Sequence, residues 1–293
     1  MKKTSHHTFS LITTGICFAF LWASASAATK IALQSAQPFV IAVTRFFIAA
    51  FIMLLVAHFF LKQPLPKKNQ WKQIIIYGLL NISIYLGLYV IAMMNVSAGL
   101  GSLSVATNPV FISIITAVWL KQKVKQVVML SLTLCSVGIV VAAYPLLQNS
   151  YATPVGLLLL FISMLSYSVG AVYFSANKWE GLHILVINGW QTLFGGIFLL
   201  PFLLTFYSAD KNVYDIKSIG GILWLAIPVS IGAVQLWLLL LKNNPVKAAF
   251  WLFLCPVFGF MIAALLLHEP ISSYTFLGVG FVIAGLHIVQ RKK

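Results

Sequence analysis

Residues 99–120 read GLGSLSVATNPVFISIITAVWL, and residues 246–267 read VKAAFWLFLCPVFGFMIAALLL. Each is an apolar run with no acidic residue, and each carries Pro-Val-Phe at the same distance from its start. A bilayer core is roughly 30 Å thick and takes about 20 apolar residues at 1.5 Å per residue, so each run is long enough to cross it as a helix. A shift of 147 residues lays Asn108-Pro109-Val110-Phe111 on Cys255-Pro256-Val257-Phe258. The same shift matches Ile115 with Ile262, Ala117 with Ala264, Leu120 with Leu267, Leu130 with Leu277 and Gly138 with Gly285. Apolar identities arise readily in such a composition; the Pro-Val-Phe run and the glycine at one offset do not. The offset makes the chain an internal repeat.

Outward from these runs, further apolar segments lie near 9–29, 39–61, 73–93, 127–146, 154–176, 184–206, 219–241 and 272–290. With 61% hydrophobic and 8% charged residues and a mean hydropathy of +0.99, the chain lacks the charge that keeps a soluble surface wet. The runs are long and do not alternate, so helices are expected and not barrel strands. The fold class predicted is an all-α integral membrane protein of ten transmembrane helices in two five-helix repeats, 1–147 and 148–293. Five is odd, so the second half runs through the bilayer in the opposite sense. Inverted repeats are a recurring transporter design, with the site near the midplane between the halves.

Charge orients the chain. With the N-terminus in the cytoplasm, fifteen of the 19 Lys and Arg residues fall on the inner side. Lys30, Lys211 and Lys217 fall outside, and Arg45 lies within the second helix. Lys121-Gln122-Lys123 is then inside, while its counterpart His268-Glu269-Pro270 is outside and has no lysine. The expected location is the inner (plasma) membrane, with both termini cytoplasmic. The net charge of +15 lies in short clusters between apolar runs and not on a phosphate-tracking face, so no nucleic-acid partner is expected. Lys2, Lys3 and Ala25-Ser26-Ala27 resemble a cleavable signal peptide. The repeat nevertheless needs this segment as the sixth helix's counterpart. Cys17, Cys135 and Cys255 have neither metal-ligand nor disulfide spacing and read as packing residues.

The runs Ser97-Ala98-Gly99 through Val124 and Lys247-Ala248-Ala249 through Gly285 resemble EamA-type transporters of the drug/metabolite transporter superfamily. Trp22 with Lys30, Arg45-Phe46, and His268-Glu269-Pro270 closing the ninth helix add to the likeness. The resemblance implies a ten-helix fold with a central cavity and, most commonly, metabolite or amino-acid export. One departure is the Gly-Glu that often closes the fourth helix, which is Lys121-Gln122 here.

An ionisable residue inside a membrane is a site candidate, because burying it costs several kcal/mol. Arg45 is the clearest, able to pair a carboxylate bidentately or else to snorkel towards headgroups. Trp22 on the first helix, Asn81, Tyr85 and Tyr89 on the third and Tyr167 on the sixth share faces with other polar residues by three- and four-residue spacing. Trp190 and Gln191 lie beside the second half's counterpart of Arg45, and Gln235 and Trp237 lie on the eighth helix. Asn108 is a buried amide that must find partners. Each aromatic has a plain alternative role as an interfacial anchor, and each amide as helix–helix glue. Pro109 and Pro256 sit mid-span, where proline removes an N–H and bends a helix, as packing kinks or as gating bends at the cavity. Small residues such as Gly195-Gly196 and Gly278, Gly280 and Ala284 suit close helix packing.

The four acidic residues, Glu180, Asp210, Asp215 and Glu269, all fall in loops or at helix ends. The absence of a mid-membrane carboxylate favours facilitated diffusion or exchange over proton coupling, with Glu269 in a capping or loop role. The chain has no phosphate-binding glycine loop ending in Gly-Lys-Ser/Thr, and no nucleophile motif or metal cluster. No cofactor, metal or catalytic residue is therefore expected. The function expected is alternating-access export of small metabolites, amino acids or related zwitterions or anions, with a membrane enzyme or a helical assembly subunit as alternatives. The expected partners are the substrate and the lipid bilayer; monomer and homodimer both stay open.

Overall fold

A computed structural model describes residues 2–121, 125–148, 153–242, 244–269 and 271–291. Gln122, Lys123, Pro270 and the terminal Lys292 and Lys293 lie outside the described residues. Among those described there are helices and no strand. The helices are α1 (Lys2–Ala32), α2 (Pro38–Phe60), α3 (Lys68–Ala92), α4 (Ala98–Trp119), α5 (Gln126–Gln148), α6 (Pro154–Ala176), α7 (Ile184–Phe206), α8 (Ile216–Leu241), α9 (Pro245–Leu267) and α10 (Ser273–Arg291). Eight are long and apolar enough to cross a bilayer. The apolar stretches of α5 and α10, Gln126–Ala142 and Ser273–Gly285, are shorter.

Local chemistry sets the helix ends. Pro38, Pro154 and Pro245 open α2, α6 and α9, where a missing N–H is harmless and the fixed φ favours helix. Thr153, Asp215 and Asn244 accept hydrogen bonds from first-turn N–H groups of α6, α8 and α9. Lys62, Lys121 and His268, just past the ends of α2, α4 and α9, adopt left-handed φ of 49°, 50° and 54°. Lys121 and His268 are 147 residues apart. The third helix starts at Lys68, earlier than hydropathy suggests, because Gln70 is buried and satisfied: its Oε1 accepts from Lys67 N, and its Nε2 donates to Trp179 O.

Three helices contain wider, π-type turns: Leu55–Phe60, Leu79–Ile84 and Leu225–Ala233. Such turns leave backbone groups to be satisfied by neighbours and concentrate at functional positions. The last two overlap under the 147-residue shift. The packing is correspondingly paired. α1 packs on α8 and α9, as α6 packs on α3 and α4. α2 lies against α7, α4 against α9, and α5 against α10. At the α5–α10 approach glycines bring the two backbones together. A methyl on Gly138 would collide with Gly278 O, and one on Gly278 with Gly138 O. Gly195 likewise admits Ile82, whereas Gly280 faces open space and makes no close approach.

Proline positions are shifted from the simple kink expected. α4 breaks after Val105 and restarts at Asn108, with Pro109 in its first turn. α9 tightens through a 3-10 turn over Phe250–Leu254 and restarts at Cys255-Pro256. Each proline thus opens a second half-helix instead of bending a continuous one, because it has no N–H to give to the preceding turn.

Candidate functional site

Helical spacing brings an aromatic box together at the centre of the bundle. Phe18 and Trp22 are one turn apart on α1, as are Tyr85 and Tyr89 on α3. Tyr85 meets Tyr167 of α6 with ring centroids 4.7 Å apart and stacks on Trp22 at 6.4 Å. Tyr167 stacks on Trp237 of α8 at 5.6 Å, and Trp237 stacks on Phe18 at 5.1 Å. All these rings are buried. Tyr89 Oη and Ser26 Oγ are 2.7 Å apart, and Ser102 Oγ of α4 donates to Ser26 Oγ at 2.9 Å. Among the described residues the buried Tyr167 Oη and Trp237 Nε1 have no hydrogen-bond partner.

Arg45 projects from α2 to the edge of this box and is 6% exposed. Its Nε and Nη2 donate to Ser230 Oγ of α8 at 3.3 and 3.1 Å, and its Cζ lies 4.8 Å from the Phe46 ring centroid. Among the described residues the ion pair present is Lys67–Glu180, 3.6 Å apart on the exposed surface. No carboxylate pairs Arg45. A cavity of about 20 Å³ lies between Arg45, Trp22, Tyr85, Tyr89, Val105 and Val229. That is room for about one water molecule, so the box is closed around itself.

A chain of amides backs the arginine. Asn188 Nδ2 donates to Ser230 O at 3.0 Å, Gln191 Nε2 donates to Asn188 Oδ1 at 3.0 Å, and Asn81 Nδ2 donates to Gln191 Oε1 at 3.2 Å. Asn81 and Gln191 therefore reach Arg45 through Asn188 and Ser230, two residues that sequence reasoning missed. Asn188 lies one turn before Gln191 on the same face, the one signal that could have found it.

The remaining candidates lie elsewhere. Asn108 joins α4 to α6: its Oδ1 accepts from Ser168 Oγ at 3.0 Å, and its Nδ2 approaches Met164 Sδ at 3.3 Å. Trp190 is not in the box; its Nε1 donates to His58 Nε2 at 3.0 Å, and its ring meets Trp71 edge-on at 4.7 Å. Gln235 is half-buried with a partnerless Nε2, on another face of α8 from Trp237. Beyond Tyr89 a vestibule of about 600 Å³ is lined by Lys30, Gln34, Gln37, Met93, Lys211 and Glu269, among others.

Comparison with known proteins identifies the family. The model of the EamA-like transporter family matches residues 9–144 and again 154–290. The chain belongs to that family. An uncharacterized transporter of Archaeoglobus fulgidus is 25% identical over 276 residues, covering 93% of this chain and 95% of its own. The protein PecM of Dickeya dadantii is 27% identical over 275 residues, covering 92% and 89%. A solved crystal structure aligns with a TM-score of 0.79 at 16% identity, over 97% of this chain and 99% of its own, which speaks to the fold. The chain is accordingly a multi-pass membrane protein and a transporter of the drug/metabolite transporter superfamily.

Proposed function

We propose that this transporter exports small zwitterionic or anionic metabolites, amino acids foremost, by alternating access in the inner (plasma) membrane. In this reading all ten helices cross the bilayer, residues 1–147 and 148–293 are inverted repeats, and both termini are cytoplasmic. The exchange of packing partners between the halves supports the repeat. The lysine distribution supports the orientation.

The observation that carries the substrate class is Arg45, a buried guanidinium beside an aromatic box with a hydroxyl and no carboxylate as its partner. Burial of a charge without a counter-ion is unfavourable, and a ligand carboxylate would relieve it. The ring faces of Trp22, Tyr85 and Trp237 suit an ammonium by cation–π attraction. Tyr167 Oη and Trp237 Nε1 are donors that a polar substrate would satisfy. Pro109 and Pro256 open the half-helices whose movement would expand the 20 Å³ cavity to substrate size.

The test is uptake by purified protein in liposomes, screened over amino acids, organic anions, sugars and cationic drugs. Arg45-dependent flux of carboxylate-bearing solutes is expected, and it should persist without a pH gradient. Flux confined to cationic drugs, or unaffected by Arg45→Ala, would overturn the reading. So would turnover of solute at one face without net movement, which would indicate an enzyme.

A further inference from the structure

Glu269 stands just past the end of α9, beyond the left-handed His268. Its Oε1 accepts from Ala98 N at 2.7 Å and its Oε2 from Gly99 N at 2.9 Å. These are free N–H groups of the first turn of α4, where the helix dipole favours an anion. Ser97 Oγ accepts from the next one, Leu100 N, at 3.2 Å. One carboxylate thus clips the end of α9 to the start of α4.

The two pieces joined are half-helices. Ala98–Val105 is separated from the rest of α4 by the break before Asn108, and Cys255–Leu267 from the rest of α9 by the 3-10 turn. They also touch along their lengths. A methyl on Gly259 would strike Ser102, and Gly99 faces Phe260. Ser102 Oγ also donates to Ser26 Oγ, which meets Tyr89 Oη at the edge of the aromatic box, so the first half-helix of α4 is tied to the box as well as to α9. In the alternating-access reading, parting of these two half-helices is what would open the box to the vestibule. Lys30 and Glu269 line the same vestibule, so a released carboxylate has a cation facing the same space.

The other face cannot build this clip. Under the 147-residue shift Ala98 becomes Pro245, which has no N–H, Gly99 becomes Val246, and Glu269 becomes Gln122, which has no charge. Two of the three chemical requirements are absent from the sequence itself.

We infer that Glu269 is a one-sided latch: its two charge-assisted hydrogen bonds hold the vestibule face shut, and the opposite face opens without breaking any such bond. This rests on the alternating-access reading but not on the choice of substrate. The latch biases the substrate-free carrier towards the state closed to the vestibule. Glu269 is a positioning residue for the transport cycle and does not touch substrate.

The natural reporter is Cys255, buried beside the box. In a Cys17→Ser, Cys135→Ala background, a membrane-impermeant thiosulfonate is applied to vesicles from each side without substrate. Glu269→Gln should raise Cys255 labelling from the vestibule side by about tenfold, the loss of charge-assisted bonds, with no rise from the other side. Pro245→Ala with Gln122→Glu should install a second clip and slow labelling from the opposite side. If Glu269→Gln unfolds the protein, a cross-link decides: oxidised Ala98→Cys with Glu269→Cys should stop transport, and reductant should restore it. Unchanged labelling, an equal rise from both sides, or full transport by the cross-linked carrier would overturn the latch. Labelling needs no substrate, so this result is separate from the fate of the Arg45 assignment.

Discussion

Two junctions 147 residues apart use the same hydroxyl in opposite ways. Ser83, in the wide turn of α3, donates to Gly195 O of α7 at 2.9 Å. Ser230, in the wide turn of α8, accepts from Arg45 of α2 at 3.1 Å. The difference begins with the facing helix. Gly195 has no side chain, so the α7 backbone comes close enough for Ile82 to press on it. Its counterpart on α2 is Ile48, which has a bulky side chain, and there the hydroxyl meets the Arg45 guanidinium and not a backbone carbonyl. One junction is therefore self-contained packing between backbone and side chain. The other presents a cation to the centre of the protein. A repeated scaffold supplies the frame, and its departures from repetition supply the chemistry.

The largest expected effect breaks the comparison at its charge. Arg45→Ala should lower kcat/KM for carboxylate solutes at least about 30-fold, since truncating a buried charged partner costs about 2–5 kcal/mol. Arg45→Lys should recover only part, because an ammonium cannot reproduce the bidentate fork. Liposome flux with matched protein content measures both. Next comes the hydroxyl pair. Ser230→Ala should raise KM about tenfold, as a hydrogen bond to a charged group is worth roughly 1.5–3 kcal/mol. Ser83→Ala should leave flux within about twofold and lower stability by about 1 kcal/mol. Equal kinetic effects at both serines would erase the distinction drawn here.

Smaller again is Gly195→Ala, which should destabilise by about 1–3 kcal/mol through overpacking against Ile82, read as a lower thermal midpoint in detergent with substrate affinity per folded molecule unchanged. The smallest concerns two loops, one in each half, that meet at Asp215. Asp215 accepts from Ser218 N, Ser35 Oγ and Lys217 N, and these hydrogen bonds hold its carboxyl below the usual range. Its folded value being depressed, its contribution is full above the unfolded value of about 3.9. That contribution is lost as pH falls through the folded value. Asp215→Asn should flatten this acid limb in a melting series from pH 6 to pH 3, whereas the wild-type curve should fall.

Hydropathy made the helices legible because a bilayer demands length and apolarity and little else. The break points were legible in part: Pro109 and Pro256 mark helix breaks, whereas Pro201 and Pro228 sit inside α7 and α8 without opening a new half-helix. What hydropathy could not show was that Pro109 and Pro256 each begin a new half-helix, which depends on how the preceding turn finds its donors. In the site, Arg45 announced itself by charge and the tyrosines of α3 by spacing. Ser230 and Asn188 did not, because a lone hydroxyl or amide in an apolar helix reads the same whether it packs or positions. Trp190 lies two residues short of Thr192, the position the 147-residue shift gives Arg45, and belongs to the His58–Trp71 cluster, so nearness in the repeat alone does not assign a side chain to the box. Glu269 was readable as a cap; what it caps, the start of a helix 170 residues away, was not.

The seam of α5 and α10 has a mechanical corollary. Where Gly138 and Gly278 bring two backbones into contact, neither helix can slide past the other without a clash of main-chain atoms. In the alternating-access reading that pair would serve as a stiff axle about which broken rods such as α4 and α9 swing. Spin labels straddling the axle should keep a constant separation throughout turnover, and labels on the rods should not.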